Sequence, residues 1–259
     1  MKDSKQYAKA IGKLYRSLKK KHGKIKAVEF DDPVEAIVYA IISENVRSSK
    51  ARSIRRRINE HFVNLNDLRV SRTEEICEVL GSDSAAARRT ADKLTKVLNA
   101  IFQKFDRVGA EELKEMGKRQ GRKELEKLQA AGKFAVDYCF LTALGGHAIP
   151  LTPRMIEYLK ADNLVDPAAT DEDIASFLER QISASNDYEF YSLLRRRSEA
   201  SSKKFKPPAE APAQADEVEA ASGKVNEKKG AAAKAKTKKK TVAKKKTATR
   251  KKTATPKKK

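Results

Sequence analysis

Tryptophan is missing from this sequence, cysteine occurs twice and histidine three times. Without tryptophan, the aromatic side chains are those of tyrosine and phenylalanine alone. Two cysteines exclude a disulfide framework. Cys77 and Cys139 each sit inside an apolar helical stretch, so they read as buried core thiols in a reducing compartment. No apolar run approaches the ~18 to 20 residues of a membrane span, and the N-terminus has no signal-peptide apolar region, so an intracellular protein is expected. Period-2 alternation is also missing, which argues against a sheet. His22 and His61 fall at helix ends, where they suit the dipole, and His147 falls in a loop. None has a second histidine or cysteine at ligand spacing, so neither a metal nor any other cofactor is expected.

What the sequence has in abundance is positive charge. Against 35 acidic residues stand 57 Lys and Arg, a formal net charge of +22, which makes a polyanion the expected partner. The distribution matters more than the sum. From Lys224 to Lys259 there are 17 basic residues and one acid, Glu227, so 16 of the 22 net charges lie there and 6 on the preceding 223 residues. The body of the chain should therefore carry its positive charge in patches.

Helical spacing organises that body. Tyr7, Ile11, Leu14 and Leu18 form an apolar stripe between lysines, closed by Lys19, Lys20 and Lys21. Asp32-Pro33 supplies an N-cap and a first-turn proline, with Glu35 at the capping-box position, before an almost wholly apolar Val34 to Ile42. Ser48 to Phe62 reads as a helix with Arg52, Arg55, Arg56 and Arg57 on its surface. Ser71 and Glu74 form a capping box ahead of Ile76, Val79 and Leu80. The longest stripe runs Ala87, Ala91, Leu94, Val97, Leu98, Ile101 and Phe105. A short helix ends at Gly117, and Gly121 marks a second joint. Leu125 and Leu128 lead through a tight turn into the apolar Phe134 to Leu144, ended by Gly145-Gly146. Thr152-Pro153 starts the next helix, and Asp171 to Ile182 and Tyr188 to Leu194 complete an all-α body.

Past residue 200 the texture changes to Lys-Pro-Pro and Ala/Glu-rich sequence, with no apolar side chain larger than valine beyond Phe205, and near-repeats such as Thr241-Val-Ala-Lys-Lys-Lys and Thr247-Ala-Thr-Arg-Lys-Lys follow. Such a segment cannot offset its ordering entropy and is expected to be disordered. It suits binding to a polyanion by counterion release, which is blind to sequence. Charge alone does not set DNA apart from RNA. The pattern resembles the tails of linker histones and histone-like bacterial proteins.

The helix-turn-helix pair around Leu128-Gln129-Ala130-Ala131-Gly132-Lys133 resembles the hairpin of the helix-hairpin-helix DNA glycosylases typified by endonuclease III. The likeness runs from about Asp32 to Leu194 and includes the buried Pro33 to Ser43 helix. That family's hairpin reads Leu-Pro-Gly-Val-Gly, of which Leu128 and Gly132 remain. The resemblance implies that backbone amides near Gly132 meet a phosphate, and that Asn45, with Arg47 beside it, faces the opened duplex. The nucleic-acid face is thus expected at Asn45, Arg47, Leu128, Gln129, Ala130, Ala131, Gly132 and Lys133.

The same resemblance implies that the chemistry is lost. Bifunctional members carry a lysine two residues after the final hairpin glycine, and here that position is Phe134. Lys133 is one residue early, about 100° away around the helix. The catalytic aspartate position at the start of a later helix is Thr152, which can cap a helix but brings no negative charge. No cysteine cluster follows, so the iron-sulfur centre of many members is not expected. Asp137 and Glu157 are the remaining carboxylates that could substitute.

The expectation is an all-α, endonuclease III-like domain at 32–198, preceded by an amphipathic helix and linker at 1–31 and followed by a basic tail at 199–259. It would bind duplex DNA, in the nucleoid or nucleus, without the usual catalytic residues. An active glycosylase using a displaced carboxylate and a histone-like architectural protein are the alternatives.

Overall fold

A computed structural model describes residues 4–201, the side chain of Gln129 excepted. Of the tail expected to be disordered at 199–259, residues 202–259 lie outside the described residues, and Glu199 and Ala200 belong to the last helix. The helices are α1 (Ser4–His22), α2 (Pro33–Ser43), α3 (Ser48–His61), α4 (Leu65–Val70), α5 (Thr73–Leu80), α6 (Ala85–Phe105), α7 (Glu112–Glu115), α8 (Lys118–Glu126), α9 (Gly132–Thr142), α10 (Pro153–Ala161), α11 (Asp171–Gln181) and α12 (Asp187–Ala200). A single 3-10 turn, Gln129–Ala131, joins α8 to α9. The described residues contain no strand, in keeping with the missing alternation, and no helix among them is long and apolar enough to cross a membrane.

α2 is buried on nearly every side because nine of its eleven residues lie in the core. Asp32 caps it by accepting from Val34 N at 2.9 Å. α2 packs on α9, α3 and α6, and α6 in turn packs on α4 and α5. Leu94, Leu98 and Ile101 of α6 are fully buried with Ile37 of α2, as the stripe in the sequence requires. A second group forms where α1 joins the last helices, with α1 on α11 and α12, and α10 on α12. Ile11 and Leu18 are the buried residues of α1. Tyr15 meets Phe190 edge to face at 5.6 Å between centroids. α12 also touches α9, linking the two groups.

The structure corrects several local expectations. Ser71 and Glu74 form no capping box. Ser71 ends α4, its Oγ donating to Asp67 O at 2.9 Å, and Glu74 instead faces Arg88 at 3.7 Å. α4 itself, missed in the sequence, is started by Asn64, whose side chain accepts from Asn66 N and Asp67 N. Gly121 is not a joint but lies inside α8, where a Cβ would stand 2.8 Å from Leu113 O. It is there because two helices approach closely. Of the α3 arginines, only Arg52 and Arg56 are exposed. Arg55 lies over the rings of Phe30 and Tyr39, and Arg57 donates to Leu80 O at 2.9 Å. Both cysteines are free and buried, as expected. Burial raises the pKa of each thiol, which suits packing and not reactivity.

Candidate nucleic-acid interface

The hairpin is built by α8, the 3-10 turn and α9. Leu128, 6 % exposed, anchors the turn in the core, with Ala131 beside it and Ala130 half-buried. Leu128 N donates back to Leu125 O, and Ala131 N to Leu128 O at 2.8 Å. Gly132 then takes φ +72°, a left-handed conformation that glycine adopts without steric cost. Side chains cap the starts of α2, α4, α6, α10 and α11. At the start of α9, Ala131 offers none. The 3-10 turn leads directly into the helix there, and no side chain stands over its first turn as a cap.

Two cations flank that helix start. Lys133 is exposed and pairs with Asp137 at 2.9 Å, one turn on. Lys93 of α6 reaches over the turn, so that a Cβ on Gly132 would stand 3.0 Å from its Nζ. Lys93 is held there by Glu44 at 2.8 Å. Glu44 immediately follows α2 and precedes Asn45, so the Asn45 loop and the hairpin meet through this ion pair. Asn45 and Arg47 are both exposed. Nothing local in the sequence signals Lys93, because it meets Gly132 only through the packing of α6 on the turn.

The positions matched to the family's chemistry look different. Phe134 is 4 % exposed and Thr152 is 4 % exposed. Thr152 caps α10, its Oγ1 accepting from Met155 N at 3.3 Å. Over the Phe134 ring lies the guanidinium of Arg195, 5.8 Å from the centroid. Arg195 comes from α12 and is 5 % exposed. It donates to Ser43 O, to Val46 O at 3.1 Å, to Tyr191 Oη at 2.7 Å and to Glu199 Oε1 at 3.0 Å. Burial opposes its charge, but Tyr191 and Glu199 overcome that and hold its pKa above the ordinary arginine value. Burial pushes the Tyr191 hydroxyl up to about 12. Glu199 also accepts from Ser48 N at 2.9 Å and Ser48 Oγ at 2.7 Å, so a carboxylate already occupies the start of α3. Arg195 and Glu199 thus fix the loop bearing Asn45 and Arg47 from behind. The sequence shows only an arginine run at 195–197, with no sign that its first member is buried.

The two spare carboxylates are placed apart in role. Asp137 is 2 % exposed and both its oxygens are bonded, one to Arg122 at 2.9 Å and the other to Lys133 at 2.9 Å. It ties α8 to α9 and so braces the hairpin. Glu157 is partly exposed on α10. His147, in the loop after α9, is more than a bystander. Its Nε2 lies 2.9 Å from Glu179 O and its Nδ1 3.3 Å from Asp187 Oδ2. Burial lowers its pKa, yet these two acceptors raise it further, so the net shift is upward. His22 and His61 end α1 and α3 as expected. Among the described residues no group of three or more potential metal ligands lies together.

The sequence matches no protein-family model and no curated protein. Solved structures do share its fold. One is a trapped covalent endonuclease III–DNA intermediate, with TM-score 0.55 and 15% identity over 75% of this chain and 85% of that one. Another is Clostridium acetobutylicum 8-oxoguanine glycosylase/lyase with double-stranded DNA, at TM-score 0.58 and 16% identity over 76% and 71%. A thermostable thymine-DNA glycosylase aligns at TM-score 0.52 and 11% identity over 76% and 86%.

Proposed function

We propose, from the premise that the chain has the fold of the helix-hairpin-helix DNA glycosylases, that it binds duplex DNA through the α8–α9 hairpin without their catalysis. The observation that carries this is the contrast within the first turn of α9. Gly132 is left-handed at an uncapped helix start beneath Lys93, whereas Phe134, two residues on, is packed under Arg195. A phosphate at the helix start would meet the positive end of α9 and draw Lys93 and Lys133 from their carboxylates. Asn45 and Arg47, on the adjoining loop, extend the same face. Phe134 offers no amine for a Schiff base at the position the family uses, and both oxygens of Asp137 are engaged, by Arg122 and Lys133. The basic segment from Lys224 adds a sequence-blind hold on the polymer.

Titration of the full chain on duplexes of unrelated sequence, across a salt series, tests this reading. Gly132→Asn keeps the left-handed backbone accessible but places a side chain where the phosphate would lie. It should weaken binding equally on every sequence, most visibly at about 0.3 M salt, where long-range attraction by the tail is reduced. Lys93→Gln should make the log–log salt slope shallower by about 0.9. If both variants bind as the parent does, the hairpin is only a structural turn.

A further inference from the structure

We propose that the outward face of α1 is a second surface for the phosphate backbone of duplex DNA, carried by elements other than the hairpin. This rests on the DNA-binding reading above but not on the hairpin's part in it. α1 contains no acidic residue from Ser4 to His22. Lys5, Lys9, Lys13, Arg16 and Lys20 are all exposed. At about 100° per residue they fall within roughly 80° of arc, opposite the side that buries Ile11 and Leu18. From Lys5 to Lys20 the stripe is about 23 Å long, the axial rise of about six or seven nucleotides of one DNA strand. Lys24 and Lys26 continue it beyond the helix, and Arg196 of α12 lies 3.3 Å from His22 Nδ1.

A helix surface built only for solubility alternates its signs, as Arg122–Glu126 and Arg56–Glu60 do here. α1 does the reverse. Lys5–Lys9, Lys9–Lys13 and Arg16–Lys20 are like-charge pairs four residues apart, each of them unfavourable. Among the described residues, the ion pair that α1 makes is Lys19 with Glu189, at 2.7 Å on the flank of the stripe. At the end of α1 the pKa of His22 is lowered, first by burial and then by the charges of Arg196 and Lys21. A polyanion laid along the stripe relieves all of these repulsions at once. An anionic membrane fits less well, because the apolar side of α1 is committed to α11 and α12 and has nothing to insert.

The test uses the full chain. Lys5, Lys9, Lys13 and Lys20 are replaced together by Gln, and the log–log salt slope for a short duplex should become shallower by about 3 to 4. In a separate protein a photo-cross-linking side chain replaces Lys9, and it should capture the duplex far more efficiently than the same group at exposed Glu78 of α5. That capture should survive Gly132→Asn, so a failure of the hairpin leaves it intact. An unchanged slope, capture at position 9 no better than at 78, or capture of anionic vesicles in preference to DNA would overturn the proposal.

Discussion

The hairpin turn and the buried centre behind it lie two residues apart in sequence and obey opposite rules. At Gly132 the chain keeps what a backbone ligand needs: a left-handed residue, an uncapped helix start and cations at its rim. At Phe134 it keeps what a core needs, an aromatic ring beneath a guanidinium satisfied by four residues. On the reading proposed above, phosphate recognition would depend on main-chain geometry and base chemistry on two side chains, so that the two would be separable on this scaffold.

The largest expected effect comes from restoring the lysine. Phe134→Lys would remove a buried ring and set an amine beside Arg195, costing about 3 kcal/mol or more of stability. Chemical denaturation measures that, and borohydride should trap no more adduct with abasic duplex than it does with the parent protein. A stable variant that traps more than the parent would mean the centre is open after all.

His147 sharpens the comparison on the closed side, because it joins the loop after α9 to α11 and α12. Its folded-state pKa is raised, so its contribution to stability is complete below the ordinary imidazole range of about 6.5 and is lost as pH rises through the raised value. The parent should lose more thermal stability between pH 6 and pH 8 than His147→Gln does. Parallel melting curves for the two proteins would instead assign the pH dependence to other groups.

The smallest effect is expected at Thr152. Aspartate caps helices as well as threonine does, so Thr152→Asp should leave stability within about 1 kcal/mol and release no base from damaged duplexes. Base release by this variant would place a competent lesion pocket next to α10.

Much of this was legible in the sequence because it is local. Asp32-Pro33 and Thr152-Pro153 announced α2 and α10, and the Ala87 to Phe105 stripe announced α6, since caps and 3.6-residue periodicity need no tertiary information. Gly132 and Phe134 were likewise readable from the hairpin pattern. What escaped was non-local. Lys93 reaches Gly132 across 39 residues, and Arg195 reaches Ser43 across 152. Both are ordinary cations on helices until those helices pack. The Ser71–Glu74 capping box failed because α4, only six residues long, uses Ser71 as its own end.

Single-turnover assay of the full chain against a panel of damaged duplexes, at protein concentrations where binding is complete, tests the separation of recognition from chemistry most directly. The account predicts saturable duplex binding with neither base release nor strand cleavage on any lesion. Release of even one damaged base by the parent protein, at a rate that tracks the bound fraction, would contradict it.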